Sequence, residues 1–282
     1  MSLRIMVAVH NGSPGNGTME LASNWAGRLK GSVVGVGVID ESVWAPAPVA
    51  ASASAGLGGV AAAEDNAQRA RAEEYVTHSL TKLEEHCRDQ GVEYRQVLET
   101  GVPHEEILAE AQRHDVILLG KQTTPDPGVG PPARSILENV LTNSPRPVVA
   151  VPDRLEGERR GILVAYDGSL QAARALQALV ASGLGALGKL AVLSVDTRSE
   201  ETAAEHAARA IEYLAAHGLE ADSRAEVTDE PVERVVVDQA GSRGVEMIVM
   251  GAHGRSRLAE FFLGSVTTHL IDESPLPLFL FH

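Results

Sequence analysis

One succession of segments is written twice along this chain. Five short strand-like runs, separated by stretches of helical pattern, lie between residues 3 and 151, and the same order recurs between residues 161 and 281. The two passes superpose by type: Ile5 to Val9 on Ile162 to Tyr166, Pro103 on Pro231, Gly120 on Gly251, Ser135 on Ser265, and SPRPVVAV on SPLPLFLF. An internal duplication of this kind limits the fold to two similar units. The charged, glycine-containing stretch Pro152 to Arg160 separates them, with a boundary near Glu156, so residues 1–155 and 156–282 are expected to form separate domains.

In the second unit the run Glu246 to Met250 is too short for a helix and rich in Met, Ile and Val, which reads as a strand buried on both faces. Strands are expected at 3–10, 32–40, 92–99, 115–120 and 147–151, then at 161–166, 190–196, 221–227, 246–250 and 275–281. Helices are expected at 18–30, 64–90, 103–114, 134–143, 170–182, 201–217, 232–242 and from residue 264. Strict alternation of strand and helix predicts an α/β fold of two tandem doubly wound, Rossmann-like parallel sheets.

The most informative stretch is VEMIVMGAHGRSRLAEFFLGSVTT, Val245 to Thr268. A buried strand ends at Gly251; Gly254 follows, then the nine residues Arg255 to Leu263, then Gly264 and a helical pattern opening with Ser265, Val266 and Thr267. Glycines let the backbone approach a ligand, and the first turn of a helix leaves amide N–H groups without internal partners. Strand, glycine loop and helix start therefore form a site for an anion, favoured by the helix dipole and the Ser265 and Thr267 hydroxyls. Arg255 and Arg257 are placed to add charge from the loop. Ser265 serving only as an N-cap is the structural alternative.

Gly-x-x-Gly, nine residues and Gly-Ser resembles the nucleotide loop of the universal stress protein family, here on Gly251, Gly254, Gly264 and Ser265. Asp167-Gly168-Ser169 after the first strand of the unit, and a last strand introduced by proline (Pro275 to Phe281), match that family as well. The resemblance covers the second unit fully and the first in degraded form. It implies a five-stranded parallel sheet of flavodoxin-like order in each unit, and ATP or a close relative bound in the second. The phosphates would lie on the Gly251 loop with Arg255 and on the helix start at Gly264, Ser265, Val266 and Thr267, with Mg²⁺ neutralising them. Asp167 would meet the adenosine, and the backbone of Val195 the adenine. An Asx turn for Asp167 and a core position for Val195 are the structural readings of the same residues. Single-domain members pair through their last strands. The tandem is accordingly expected to be an intrachain pseudo-dimer, with a homodimer of tandem chains left open, acting in a stress response with an unidentified protein partner.

The first unit departs from the pattern where chemistry would occur. Thr123 replaces the second glycine, Arg134 precedes Ser135 where Gly264 stands in the second unit, and His10 and Asn11 replace Asp167 and Gly168. The intervening loop carries Pro125, Pro127, Pro131 and Pro132, which remove N–H donors. This unit is expected to keep the fold and to have lost or altered the nucleotide site.

Several function classes are disfavoured. A formal net charge of −14 and a pI near 5.1 argue against nucleic acid as a partner. Cys87 is the single cysteine, so no intrachain disulfide forms, and it reads as an ordinary thiol in a polar helix end. The Ala-rich stretch Val43 to Ala63 is broken by Pro46, Pro48, serines and glycines, and reads as a loop rather than a membrane span. No secretory leader pattern opens the chain, so a cytoplasmic protein is expected. Gly183-Leu-Gly-Ala-Leu-Gly188 matches the dinucleotide signature but ends a helix and precedes a strand, which makes it a helix stop. Ser79-Leu-Thr-Lys82 lacks partner motifs, and neither His206 with His217 nor His253 with His269 has metal-ligand spacing, so these histidines read as isolated and at the surface. A hydrolase would need a group to position water; Glu260 and His253 are the local candidates, and no motif places either. An unliganded scaffold binding partners on its acidic surface is the other rival.

Overall fold

The computed structural model describes residues 2–10, 14–41, 58–121, 133–155, 157, 160–252 and 263–282. The first unit contains β1 (Arg4–Val9), α1 (Asn16–Leu29), β2 (Ser32–Asp40), α2 (Gly58–Asp89), β3 (Glu93–Gly101), α3 (Pro103–Ala111), β4 (Val116–Gly120), α4 (Ala133–Asn143) and β5 (Val148–Val151). The second contains β6 (Ile162–Ala165), α5 (Leu170–Ala181), β7 (Leu190–Asp196), α6 (Glu200–Ala216), β8 (Ala221–Val227), α7 (Val232–Arg243), β9 (Met247–Gly251), α8 (Ser265–Glu273) and β10 (Leu278–Phe281). Every expected strand and helix is present, with ends shifted by a few residues. Gly58 to Ala63, expected as loop, open α2 instead, in keeping with the high helix propensity of an alanine run. The rest of that stretch, like Glu156 at the expected boundary, lies outside the described residues.

The strands form one ten-stranded sheet in the order β3-β2-β1-β4-β5-β10-β9-β6-β7-β8. Each half runs 3-2-1-4-5, which corrects the flavodoxin-like order 2-1-3-4-5. Composition explains the difference. β3 (EYRQVLETG) and β8 (ADSRAEV) are polar and largely exposed, which suits the two outer edges of the sheet. β1, β4 and β9, by contrast, are apolar and almost wholly buried.

All neighbours are parallel except β5 and β10, which pair antiparallel with Val149 opposite Phe279. Those two residues are equivalent in the duplication, and the flanking pairs Val148–Leu280 and Ala150–Leu278 exchange roles about them. A local two-fold axis therefore passes between Val149 and Phe279, as in an isologous dimer interface. The expected pseudo-dimer within one chain is realised here as a shared sheet.

Two core layers run through both units. On one face Val7, Leu118, Val149, Val164 and Phe279 pack under α1, α2, α5 and α6; on the other Met6, Leu119, Ala150, Leu163 and Leu278 pack under α3, α4, α7 and α8. Cys87, in the last turn of α2 as expected, lies in the first layer and is fully buried. The two-fold makes the carboxyl ends of the strands face opposite edges of the sheet in the two halves. The exit of β5 and the start of β6 thus lie on one edge, which the short linker can span.

Candidate functional site

In the second half Asp167 follows β6 and Gly251 ends β9, the two strands that flank its switch point, where the crossovers diverge. The Tyr166 amide donates to the Leu193 carbonyl at 2.9 Å, continuing the β6–β7 ladder toward Asp167 and Val195. Asp167 is half-buried and closes an Asx turn, its Oδ1 accepting from the Ser169 amide at 3.0 Å. Ser169 caps α5, its Oγ accepting from the Ala172 amide at 3.1 Å. Val195 is half-buried at the end of β7 and packs against the second core layer, so its core reading holds for the side chain. Its backbone pairs in register with Glu226 of β8.

Gly251 ends β9 beside this turn. A Cβ there would lie 2.7 Å from the Ala172 amide nitrogen and 2.7 Å from Gln171 Cβ. The glycine is required because the first turn of α5 presses on it, and its φ is not in the left-handed region. One contact thus joins the end of β9 to the helix that Asp167 and Ser169 begin.

The N-cap of α8 is Gly264, extended at φ −62° and ψ 152°, rather than Ser265. It supplies no side-chain hydrogen bond, and the first turn holds no acidic residue, so among the described residues the first-turn amides of Ser265, Val266 and Thr267 have neither an intrahelical nor a capping partner. Ser265 is exposed, Val266 half-buried and Thr267 buried, which leaves Ser265 as the hydroxyl at the surface. Gly254, Arg255, Arg257, His253 and Glu260 lie outside the described residues.

Two neighbours of the site were not evident in the sequence. The His206 ring of α6 sits against Gly168, within 2.5 Å of where a Cβ would stand, so this half-buried histidine is no isolated surface group. Gly168 also takes a φ of +75°, doubly excluding a side chain. Burial raises the Tyr166 phenol pKa, with Arg209 opposing and Asp167 adding to the shift, which places both charges near that ring. Strand and helix periodicity carries no information about either approach, because α6 is more than thirty residues away in sequence.

The first half is different at the corresponding edge. His10 is buried at the end of β1, and α4 begins at Ala133, so Ser135 is the third helical residue where Ser265 is the first. The linker lies on the start of α1: the Gly17 amide donates to the Asp153 carbonyl at 2.8 Å. Among the described residues, no helix is long and apolar enough to cross a membrane.

The family model described as the universal stress protein family matches residues 1–152 and again 158–282. A universal stress protein of Synechocystis sp. is 26% identical over 168 residues, 59% of this chain and 58% of that relative. One of Methanocaldococcus jannaschii is 45% identical over 42 residues, 15% of this chain and 26% of that protein. The chain thus spans less than two thirds of the length of either curated relative. A universal stress protein from Archaeoglobus fulgidus has the same fold, with a TM-score of 0.66 at 20% identity over 99% of this chain and 97% of that one. Matched in two consecutive segments that leave only the linker between them, the chain belongs to the universal stress protein family.

Proposed function

We propose that the second half binds one adenine nucleotide, ATP carried with Mg²⁺, and that the protein is a nucleotide-responsive stress protein rather than an efficient hydrolase. The observation supporting this is the convergence of the Asp167 turn, the end of β7 at Val195, Gly251 and the uncapped first turn of α8 at one switch point. The free amides of Ser265, Val266 and Thr267 suit phosphate oxygens, and the missing side chain at Gly264 lets them approach. Asp167 and Val195 stand on the adenosine side, with Gly254 and Arg255 contributing from the loop. Mg²⁺ would arrive with the nucleotide, coordinated by the phosphates. Residues 1–155 then serve as a structural half, their carboxyl edge overlaid by the linker at Asp153.

Calorimetric titration with ATP and Mg²⁺ tests the reading. One site per chain, lost in Gly264→Trp, is expected. Two sites would overturn the division between halves, and no heat at millimolar nucleotide would favour a scaffold.

A further inference from the structure

We propose that Lys121, in the first half, is a positioning residue for the nucleotide site of the second, holding α8 by its carboxyl end. This rests on the binding function proposed above.

Lys121 directly follows β4 and is only 7% exposed. Its Nζ donates to the carbonyls of Ser274 and Leu276, each at 2.9 Å, and to that of Leu270 at 3.5 Å. All three acceptors belong to the last turn of α8 and the turn leading into β10. A buried ammonium is tolerated only where its protons find acceptors, and here three N–H groups meet three carbonyls. Burial pulls its pKa down to about 7, with the Asp272 carboxylate opposing the shift. The cation also sits at the negative end of the α8 dipole, opposite the end whose amides face the proposed phosphates.

The contact runs one way only. At the position equivalent to Lys121 stands Ala252, fully buried, whose amide donates to the Phe281 carbonyl at 2.8 Å just as the Lys121 amide donates to Val151 at 2.7 Å. The backbones match about the two-fold, but a methyl group cannot reach the end of α4. The half that lost the glycine string therefore secures the helix of the half that kept it. α8 is nine residues, about 13 Å long, so a shift at its secured end moves the amides at the other.

The test compares wild type, Lys121→Met and Lys121→Arg. Met keeps the apolar stem and removes the donors; Arg restores donors and charge. Titration with ATP and Mg²⁺ is expected to show about a tenfold rise in Kd for Lys121→Met at unchanged stoichiometry, with partial recovery in Lys121→Arg. Hydrogen exchange should speed up in α8 and remain unchanged in α4. If Lys121→Met is too unstable to purify, Lys121→Gln is expected to show a smaller rise of the same kind. Wild-type affinity in the Met variant, or weakened binding with unaltered α8 exchange, overturns the positioning role. Absence of binding by the wild type instead overturns the nucleotide reading, and this inference falls with it.

Discussion

His114 shows how a single residue ties stability to pH. It is 1% exposed in the turn between α3 and β4, with Nδ1 on the Glu110 carbonyl at 3.0 Å and Nε2 without a hydrogen-bond partner among the described residues. Burial lowers its pKa from the ordinary 6.5; the Glu110 carbonyl and carboxylate oppose this, and Arg4 and Arg95 add to it. The unfolded chain therefore takes up the proton first as the medium is acidified. The stability that depends on neutral His114 is fully present above pH 6.5 and declines as pH falls below it. Urea midpoints at about pH 7.5 and 5.5 should differ less in His114→Leu than in wild type; an unchanged difference would assign the acid sensitivity elsewhere. Cys87 illustrates the opposite case, in which burial and the nearby Glu84 push the thiol up to about 12 and leave it unreactive near neutrality. Nothing in the sequence around either residue indicated burial, since each lies beside charged neighbours and is covered by elements distant in the chain.

At the scale of the element, α8 is a helix with a deliberately poor start. Gly264 is compatible with a capping side chain in φ and ψ, yet offers none. Gly264→Asp should gain a few tenths of a kcal/mol of stability from capping, read in urea unfolding, and at the same time place a negative charge where the phosphates are proposed to sit. ATP affinity is expected to fall more than about tenfold in that variant. A stabilised protein with unchanged affinity would remove α8 from the site. The strand that ends at Gly251 and the helix that follows Gly264 were legible in the sequence because both are local. Its start was legible too: the helix opens with Ser265 after Gly264, and the alternative that made Ser265 the N-cap does not hold. The strand order was also legible in principle, from the polar faces of β3 and β8, which an interior position would have left without water or partners.

For the whole molecule, the decisive interaction is the β5–β10 pair, which turns two half-sheets into one and runs both core layers through the junction. Separated from the first half, residues 158–282 would expose the edge of β10, whose sequence LFLF is apolar throughout. That fragment is expected to dimerise through β10, re-creating the two-fold with a second copy; light scattering after size exclusion would read it, and a stable monomer would show that the pairing is dispensable. The sequence by itself determined the duplication, the α/β alternation, the buried strands and the glycine string, because periodicity and turn chemistry act over a few residues. Only the tertiary structure decided that Val149 meets Phe279, that the two halves present their carboxyl ends to opposite edges, and that Lys121 reaches α8 across 153 residues to Ser274. Those contacts arise from closing one sheet over both halves, and no local pattern along the chain encodes which distant carbonyl a buried lysine will find.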